Sequence, residues 1–421
     1  MAKKTILYVD HTARWSGGEI SLGRLLSALN PELFRPVVAL AEEGPLADRL
    51  REMTIAVHIV PMDDTVRNTR KDSLDFGGIT RKLFVAGPQI MQYAAKIAAL
   101  ARQENADLLH CNSLKSDIYG AIAGKMCKKP VIWHVRDFID PTYLPQTTVV
   151  AFRSAAKVLP THILTNSQAT LECLFPTESG REKATVAHNG LAERDLLFDE
   201  PAERTTWAGQ DAVRIGLVGR LAHWKGQHVL VEAVKLLKAD RRAGRLPDDL
   251  PPVRFLIAGG ALFGEEDYEA QVKAQGEPVA HCIEWLGAVK DIPALLAKLD
   301  IMVHTSVTPE PFGQVVIEGM AAGLPVIATR GGGVPEIITE GKTGMLTPMG
   351  DAAALAVAVR SLLCDPAKAA QIGRAGYHEA RARFTSHKTA AVVENVYSRL
   401  LSGSEKKQGV MEMLAGGRGV F

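Results

Sequence analysis

The sequence has few cysteines, almost no net charge and no long apolar run, and each absence excludes a class of protein. Its five cysteines in 421 residues are scattered without CxxC spacing, which disfavours a disulfide framework or a zinc site. A formal charge of +2 provides no broad basic surface for nucleic acid. No apolar run approaches the roughly 20 residues that span a bilayer, and residues 6–9 are too short for a secretory signal. We therefore expect a cytoplasmic protein.

What the sequence does contain is a repeated α/β rhythm in a chain long enough for two domains. Short apolar runs such as TILYVDH and PVIWHV alternate with amphipathic stretches such as GEISLGRLLSALN, which is typical of parallel sheets covered by helices on both faces. The rhythm restarts at VRIGLVGRL, after a polar stretch at 198–212 that suits a linker. We predict two doubly wound, Rossmann-like domains, residues 1–192 and 213–383, facing a cleft.

Polar residues and glycines cluster where the predicted strands end. Ligands of doubly wound sheets bind at the carboxyl ends of strands, so this placement indicates candidate site residues. They are Gly17 and Gly18 after the first strand, His134 at the end of PVIWHV, Arg220 and Lys225 after GLVG, Glu310 after IMVHTS, and Gly331 to Gly333 after PVIATR.

Glu310 forms a pair with a second glutamate, Glu318, in PEPFGQVVIEGMAA. If this stretch is one helix, the two lie roughly 12 Å apart along its axis. Paired carboxylates of glycoside hydrolases are roughly 5–9.5 Å apart, so the spacing disfavours a hydrolytic pair. It suits two contacts to one long ligand, such as a nucleotide sugar, with a helix N-terminus offering N–H groups to an anion. Two solvated glutamates on a surface helix remain the alternative.

The basic pair and the glycine loops also have two interpretations. Arg220 and Lys225 suit a phosphate or are two surface cations; GxxxxGK[ST] and GxGxxG are both absent, so neither a P-loop nor a dinucleotide site is supported. The loops SGGE (16–19) and GGGVPE (331–336) allow close approach of a phosphate to the backbone, or form ordinary turns. His134 either orients a sugar or is structural, and His110 and His188 are interpreted as structural.

Taken together, VGRLAHWKG, PEPFGQVVIEGMAAGLPVIA and GGVPEIITEGKTGML resemble the large retaining glycosyltransferase family often numbered four, which has the GT-B fold. The resemblance covers most of the chain and is strongest over 213–350. LTNSQAT and HNGL are similar to that family's interdomain strand and crossover, and residues 386–402 to its final helix, which crosses back to the first domain. The glycine-rich segment 403–421 is then expected to be a mobile tail.

The resemblance implies roles for the candidate residues, with the donor bound by the second domain and the acceptor by the first. His134 matches the histidine near the donor sugar in that family, and Asp137 is a candidate on the acceptor side. The donor contacts implied are Arg220 and Lys225 to the diphosphate, Glu318 to the ribose, Glu310 to the sugar, and the backbone of Phe312, Gly313 and Gln314 to sugar and phosphate. Gly17, Gly18 and Gly332 are also expected to bind substrate.

The activity implied is transfer of a sugar from a nucleotide to an acceptor hydroxyl with retention, in glycan, glycolipid or polysaccharide synthesis. UDP is favoured over GDP on family frequency alone. No metal and no other cofactor are expected, since no Asp-x-Asp pair stands out. The acceptor is a carbohydrate or is lipid-linked; segment 63–85 is interpreted as an acceptor-side loop that contacts a membrane surface, or as a solvated loop. A sugar-nucleotide 2-epimerase of the same fold and an inactive binding protein are the alternatives.

Overall fold

The computed structural model describes residues 3–62, 76–196, 198–201, 206–261 and 264–416. Side chains are described for all of these residues except 76–86 and 403–416. Contacts divide the chain into two compact units. Unit 1 comprises residues 1–192 and 386–421, and unit 2 comprises residues 193–385. Each described unit contains one all-parallel sheet with connecting helices, which confirms the predicted α/β class with two doubly wound sheets.

The described sheet of unit 1 has the strand order β3-β2-β1-β4-β5-β6-β7. The order reverses between β1 and β4, so their carboxyl ends form a topological switch point, where ligands of such sheets bind. The strands are β1 (Lys4–Asp10), β2 (Phe34–Leu40), β3 (Ala56–Ile59), β4 (Leu108–Cys111), β5 (Val131–Val135), β6 (His162–Thr165) and β7 (Ala184–Val186). The helices between them are α1 (Gly17–Ala28), α2 (Pro45–Glu52), α3 (Phe76–Gln103), α4 (Leu114–Cys127), α5 (Gln146–Val158) and α6 (Gln168–Leu174).

The described sheet of unit 2 has the order β10-β9-β8-β11-β12-β13, with its switch point between β8 and β11. The strands are β8 (Val213–Val218), β9 (Val253–Ala258), β10 (Ile283–Gly287), β11 (Ile301–His304), β12 (Val326–Thr329) and β13 (Met345–Thr347). The helices are α7 (Gln227–Arg242), α8 (Glu266–Gly276), α9 (Ile292–Leu296), α10 (Gln314–Ala321), α11 (Val334–Ile337), α12 (Ala352–Cys364) and α13 (Pro366–Arg383). Short 3-10 turns occur at Arg181–Lys183, Glu193–Leu196, His223–Lys225 and Glu277–Cys282.

Strand β1 shows why the sheet needs helices on both faces. Successive side chains of a strand point to opposite faces. Leu7 and Val9 accordingly enter one buried cluster, while Ile6 and Tyr8 enter the other. A strand that is apolar at every position is stable only when both of its faces are covered.

The last helix, α14 (Ser386–Gly416), covers one face of the unit 1 sheet. The Ser386 backbone N–H donates to the Leu191 carbonyl at 2.7 Å, and Tyr397 is fully buried in the cluster that contains Tyr8. The predicted end of this helix at residue 402 is wrong, because the helix continues to Gly416. Glycine weakens a helix by about 1 kcal/mol relative to alanine, so Gly403 did not have to end it. Residues 417–421 of the predicted tail lie outside the described residues.

The predicted linker at 198–212 is anchored to unit 2. Trp207 is buried, and its indole N–H donates to the Leu363 carbonyl at 3.0 Å. The Phe198 carbonyl accepts hydrogen bonds from the Tyr377 hydroxyl at 3.1 Å and from the Arg381 guanidinium at 2.8 Å. These contacts were not foreseen because their partners are more than 150 residues away in the chain.

The predicted acceptor-side loop at 63–85 is described only in part. Residues 63–75 lie outside the described residues, and α3 begins at Phe76. The three-residue strands β7 and β13 were not predicted, because so short a run shows no periodicity. Across the described ranges, no helix is both long enough and apolar enough to span a bilayer.

Candidate active site

Glu310 lies in the loop between β11 and α10, not on a helix with Glu318. Helix α10 begins at Gln314, after Gly313 in a left-handed conformation with φ of +105°. Glu310 instead forms a bridge with Gly332, and the two prolines that flank it disfavour helical geometry. The predicted separation along one helix axis is therefore wrong. Glu318 lies on the second turn of α10.

The Glu310 carboxylate is buried among hydrogen-bond donors. Its Oε1 atom accepts from Lys225 Nζ at 2.6 Å, from His304 Nε2 at 3.0 Å and from the Ser306 hydroxyl. Glu310 is only 7% exposed. Burial by itself would raise the pKa of this carboxyl, but Lys225 and His304 hold the pKa well below its usual value. Glu310 is therefore ionised at neutral pH.

His304 is held in one orientation by β12. The backbone N–H of Thr329 points to His304 Nδ1 at 3.5 Å, and the Thr329 hydroxyl lies 3.2 Å from the same atom. A backbone N–H can only donate, so Nδ1 accepts and Nε2 carries the proton that is donated to Glu310. His304 thus acts as a fixed donor in the Glu310 cluster, which we define as Lys225, His304, Ser306, Glu310 and Thr329.

The two cations after β8 lie near the same indole ring. The Arg220 guanidinium carbon lies 5.3 Å and Lys225 Nζ 4.4 Å from the centroid of Trp224. The turn that holds Lys225 requires Gly226, whose φ is +71° and whose added Cβ would lie 1.9 Å from the Thr305 carbonyl oxygen. This loop therefore brings both predicted phosphate ligands to the carboxyl end of β8.

Glycines place the backbone of the next two loops. Gly332 has φ of +61°, and a Cβ there would lie 1.9 Å from the Glu310 carbonyl oxygen, so any other residue would displace Glu310. The N–H of Gly333 donates to that carbonyl at 2.9 Å. Phe312 is buried, with its ring 5.9 Å from that of Phe384, so the phenyl ring itself is packed in the protein and only the backbone near Gly313 is suited to contact a ligand.

In unit 1, His134 is fully buried at the end of β5. Its Nδ1 atom lies 3.1 Å from His110 Nε2 and 3.2 Å from Arg136 Nη2. Its Nε2 atom is buried, and none of the residues described accepts or donates a hydrogen bond there. Burial, together with Arg136 and His110, holds the pKa of His134 well below its usual value, so the ring is neutral at pH 7.

Arg136 connects His134 to two buried asparagines. Its Nε donates to Asn112 Oδ1 at 2.9 Å and its Nη1 to Asn189 Oδ1 at 2.7 Å. Asn112 Nδ2 in turn donates to Asp10 Oδ2 at 2.7 Å. Burial lowers the pKa of Arg136 to about 10, although Asp10 opposes this shift. Sequence reasoning missed these residues; the available signal was that each lies at or just after a strand end.

The remaining predicted residues of unit 1 lie at the same edge of the sheet. Gly17 and Gly18 form the first turn of α1, and the Gly18 carbonyl accepts from Asn112 Nδ2 at 3.4 Å. Asp137 follows β5 and accepts from the Tyr143 hydroxyl at 3.4 Å. Gly18 thus joins the Asn112 network, whereas Asp137 has a separate contact.

A large cavity of unit 2 lies away from the Glu310 cluster. Its volume is about 530 Å³, and it lies beside α7 and the first residues of β9. Its lining includes Val234, Leu237, Phe255 and Leu363. Because it is next to the amino end of β9, it is not part of the candidate site at the carboxyl ends.

Comparison with known families gives two matches that divide the chain. Residues 204–379 match the family described as Glycosyl transferases group 1. Residues 45–193 match the family described as Glycosyltransferase Family 4. The first match includes the predicted donor-binding residues of the second domain, and the second includes His134 and Asp137. Gly17 and Gly18 lie outside both matches.

Two curated relatives come from Bacillus subtilis strain 168. The chain is 28% identical to spore coat protein SA over 74% of its own length and 90% of that protein. It is 33% identical to the putative glycosyltransferase EpsD over 44% of its own length. That second match spans 45% of EpsD, so it concerns about half of each protein.

Among solved structures, Anabaena HepE in complex with UDP matches with a TM-score of 0.76 and 25% identity, over 94% of this chain and 100% of that one. A complex of HepE with UDP-glucose matches with a TM-score of 0.73 and the same identity, over 94% and 99%. A structure from Rickettsia africae described as a glycosyltransferase has a TM-score of 0.73 at 22% identity, over 95% and 99%, which is evidence for the fold alone.

Proposed function

The chain belongs to the group 1 glycosyltransferases of the GT-B fold, and from that premise we propose that it transfers a hexose with retention from a UDP-sugar to an acceptor hydroxyl. The observation that carries this proposal is the Glu310 cluster, which holds an ionised carboxylate beside Lys225 at the carboxyl ends of β8 and β11. The UDP and UDP-glucose complexes of HepE support the choice of nucleotide. GDP is the second choice.

The diphosphate is assigned to Arg220 and Lys225. Both are placed by the loop after β8, and both lie near the Trp224 ring. Arginine provides a planar fork and lysine a compact charge, which together suit a diphosphate. Because Lys225 is paired with Glu310 at 2.6 Å, an arriving diphosphate competes with that carboxylate for the ammonium group.

The sugar and the ribose are assigned to the two glutamates. Glu310 has one oxygen occupied by three donors, and a carboxylate has further acceptor capacity, which suits sugar hydroxyls. Glu318 on α10 is assigned to the ribose hydroxyls. The N-terminus of α10, with Gly313 before it, supplies backbone N–H groups to sugar and phosphate.

The reaction breaks the bond between the anomeric carbon and the phosphate oxygen and forms a bond from that carbon to the acceptor oxygen. The acceptor proton passes to the departing phosphate oxygen on the same face of the sugar, which accounts for retention without a separate base. Arg220, Lys225 and helix N–H groups stabilise the negative charge on the leaving diphosphate, a contribution of the oxyanion-hole type.

The test is incubation with a panel of radiolabelled UDP- and GDP-sugars, with and without candidate acceptors, followed by separation of products. Transfer, or slow release of free sugar from one UDP-sugar, is expected, with the anomeric configuration of the product determined by NMR. A changed nucleotide sugar would indicate a 2-epimerase, and binding without turnover an inactive protein. An inverted product would overturn retention.

A further inference from the structure

The imidazole of His134 is buried and is held through one of its two ring nitrogens. His134 is fully buried, yet its Nε2 atom has no hydrogen-bond partner among the residues described. A buried polar atom left without a partner costs roughly 1–3 kcal/mol. Such an atom in a well-packed unit is worth explaining, since buried polar groups are nearly always paired.

The contacts at the other ring nitrogen determine which nitrogen carries the proton. Arg136 Nη2 lies 3.2 Å from His134 Nδ1, and a guanidinium can only donate. Nδ1 is therefore an acceptor, so the neutral ring carries its proton on Nε2. Burial and the neighbouring Arg136 hold the pKa of His134 well below its usual value, which agrees with a neutral ring.

A chain of buried hydroxyl and imidazole groups leads to the same result. Because His134 Nδ1 accepts, His110 must donate from Nε2 across the 3.1 Å contact. His110 is then an acceptor at Nδ1, where the Tyr397 hydroxyl lies at 2.6 Å. Tyr397 donates to His110 and accepts from the Tyr8 hydroxyl at 2.7 Å. Every donor in this chain has an acceptor, and the direction of donation is the same throughout.

We propose that Arg136, His110 and Tyr397 are positioning residues that hold His134 as a neutral Nε2–H donor to a substrate oxygen, so that His134 does not accept a proton in the reaction. The identity of the substrate rests on the function proposed above, whereas the tautomer does not. Tyr397 lies on α14, so the last helix contributes to the site through His110 although it lies far from His134 in the sequence.

The tautomer can be observed directly. We would label the full-length protein with ¹⁵N-histidine and record long-range ¹H–¹⁵N correlations between pH 6 and 8, assigning His134 from the spectrum of His134→Gln. The expected result is a neutral ring protonated at Nε2 across this range. A ring protonated at Nδ1, or an imidazolium, would overturn the proposal. This measurement needs no turnover, so it decides the tautomer even if no sugar is transferred.

The positioning role is tested with Tyr397→Phe, which removes the hydroxyl that donates to His110. Losing one neutral hydrogen bond should lower kcat roughly 3- to 10-fold and leave UDP affinity unchanged. It should introduce the second tautomer at His110, whereas Arg136 still donates to His134 Nδ1 and keeps the proton of His134 on Nε2. The control is Tyr377→Phe, which removes a hydroxyl bound to the Phe198 carbonyl in unit 2 and should leave the His110 spectrum unchanged.

Two outcomes of the Tyr397→Phe experiment would contradict a positioning role. One is an unchanged His110 spectrum, assigned by comparison with His110→Gln, together with unchanged kcat. The other is loss of UDP binding in parallel with kcat, which would indicate a general structural defect. If Tyr397→Phe does not fold, His110→Gln serves in its place, because a side-chain amide can both accept from Tyr397 and donate to His134; it should retain the Nε2–H form of His134.

Discussion

Unit 1 and unit 2 each bury a polar cluster at the carboxyl ends of their strands, but the central group is a charged carboxylate in unit 2 and a neutral imidazole in unit 1. In the Glu310 cluster, a buried carboxylate receives three donors on one oxygen. In unit 1, a buried neutral imidazole accepts at one nitrogen and has no described partner at the other. One cluster therefore stabilises an anion, whereas the other presents a donor.

The difference shows how similar strands are used for different chemistry. Each cluster contains a histidine near a strand end, His304 on β11 and His134 on β5, and in each the accepting Nδ1 is set by a group that can only donate. For His304 that group is a backbone N–H, and for His134 it is Arg136. The Nε2–H of His304 is used inside the protein, and that of His134 has no partner among the residues the structure describes.

The largest expected effect comes from breaking the ion pair of unit 2. Lys225→Met leaves the Glu310 carboxylate buried without its cation, which should lower the free energy of unfolding by about 3–5 kcal/mol. Urea denaturation measures this. The control is Lys235→Met, which breaks a more exposed pair with Glu232 at 2.7 Å and should cost about 0–1 kcal/mol.

Adding Glu310→Gln to Lys225→Met should restore part of the lost stability, because the buried charge is then removed. If the double variant is no more stable than Lys225→Met, the attraction between the two charges is not what stabilises this cluster.

The next effect separates the role proposed for Glu318 in UDP binding from that proposed for Glu310 in sugar recognition. Glu318→Ala should weaken UDP binding by about 1.5–3 kcal/mol, the range for hydrogen bonds to charged groups. Glu310→Ala should leave UDP affinity equal or tighter, since Lys225 is then released for the diphosphate, and should reduce discrimination among sugars. Isothermal titration calorimetry with UDP measures both, with Glu232→Ala on α7 as the control. Equal loss in both glutamate variants would show that the assignment is wrong.

The two clusters should also differ in acid sensitivity. The pKa of His110 and that of His134 are both lowered by burial, so the unfolded chain takes up protons below pH 6.5 that the folded chain does not. Stability should therefore fall by up to about 1.4 kcal/mol per pH unit for each histidine as pH drops below 6.5. Glu310, whose pKa is also lowered, adds a loss only below about pH 4.5.

Urea denaturation between pH 8 and 5 tests this difference, with His110→Gln as the comparison. That variant should show a slope shallower by about 1.4 kcal/mol per unit. Part of the slope should remain, because burial lowers the pKa of His162 to about 4 as well. An identical slope in wild type and variant would mean that His110 is charged in the folded protein.

The smallest effect contrasts the buried carboxyl of Asp117 with that of Glu310. Both oxygens of Asp117 in unit 1 are buried, and none of the described residues bonds to them; burial, with Asp10 nearby, holds the pKa well above its usual value. Asp117 thus destabilises the fold increasingly as pH rises above 3.8. Asp117→Asn should stabilise by about 1 kcal/mol at pH 7, measured by thermal unfolding. Destabilisation would indicate that an ionised carboxylate is needed there.

Much of the architecture was predictable because it depends on local periodicity. The buried strands β1, β5, β8 and β11 are mostly apolar, and polar residues at or just after the end of each strand fall at the edge where parallel strands end. The glycine-containing motifs identified the family. The assignment of the two glutamates to substrate stays a prediction, whereas their common helix was wrong, since Pro309 and Pro311 exclude Glu310 from α10.

The sequence by itself determined which residue types lie at the strand ends, because chain order in a parallel α/β fold places those ends on one edge. Only the tertiary structure decided which of them touch. Lys225 meets Glu310 from 85 positions away, and His110 meets Tyr397 from 287 positions away. Neither separation has any periodicity that a sequence pattern could reveal. Charge state and tautomer follow from these contacts and from burial, so they too are properties of the folded chain.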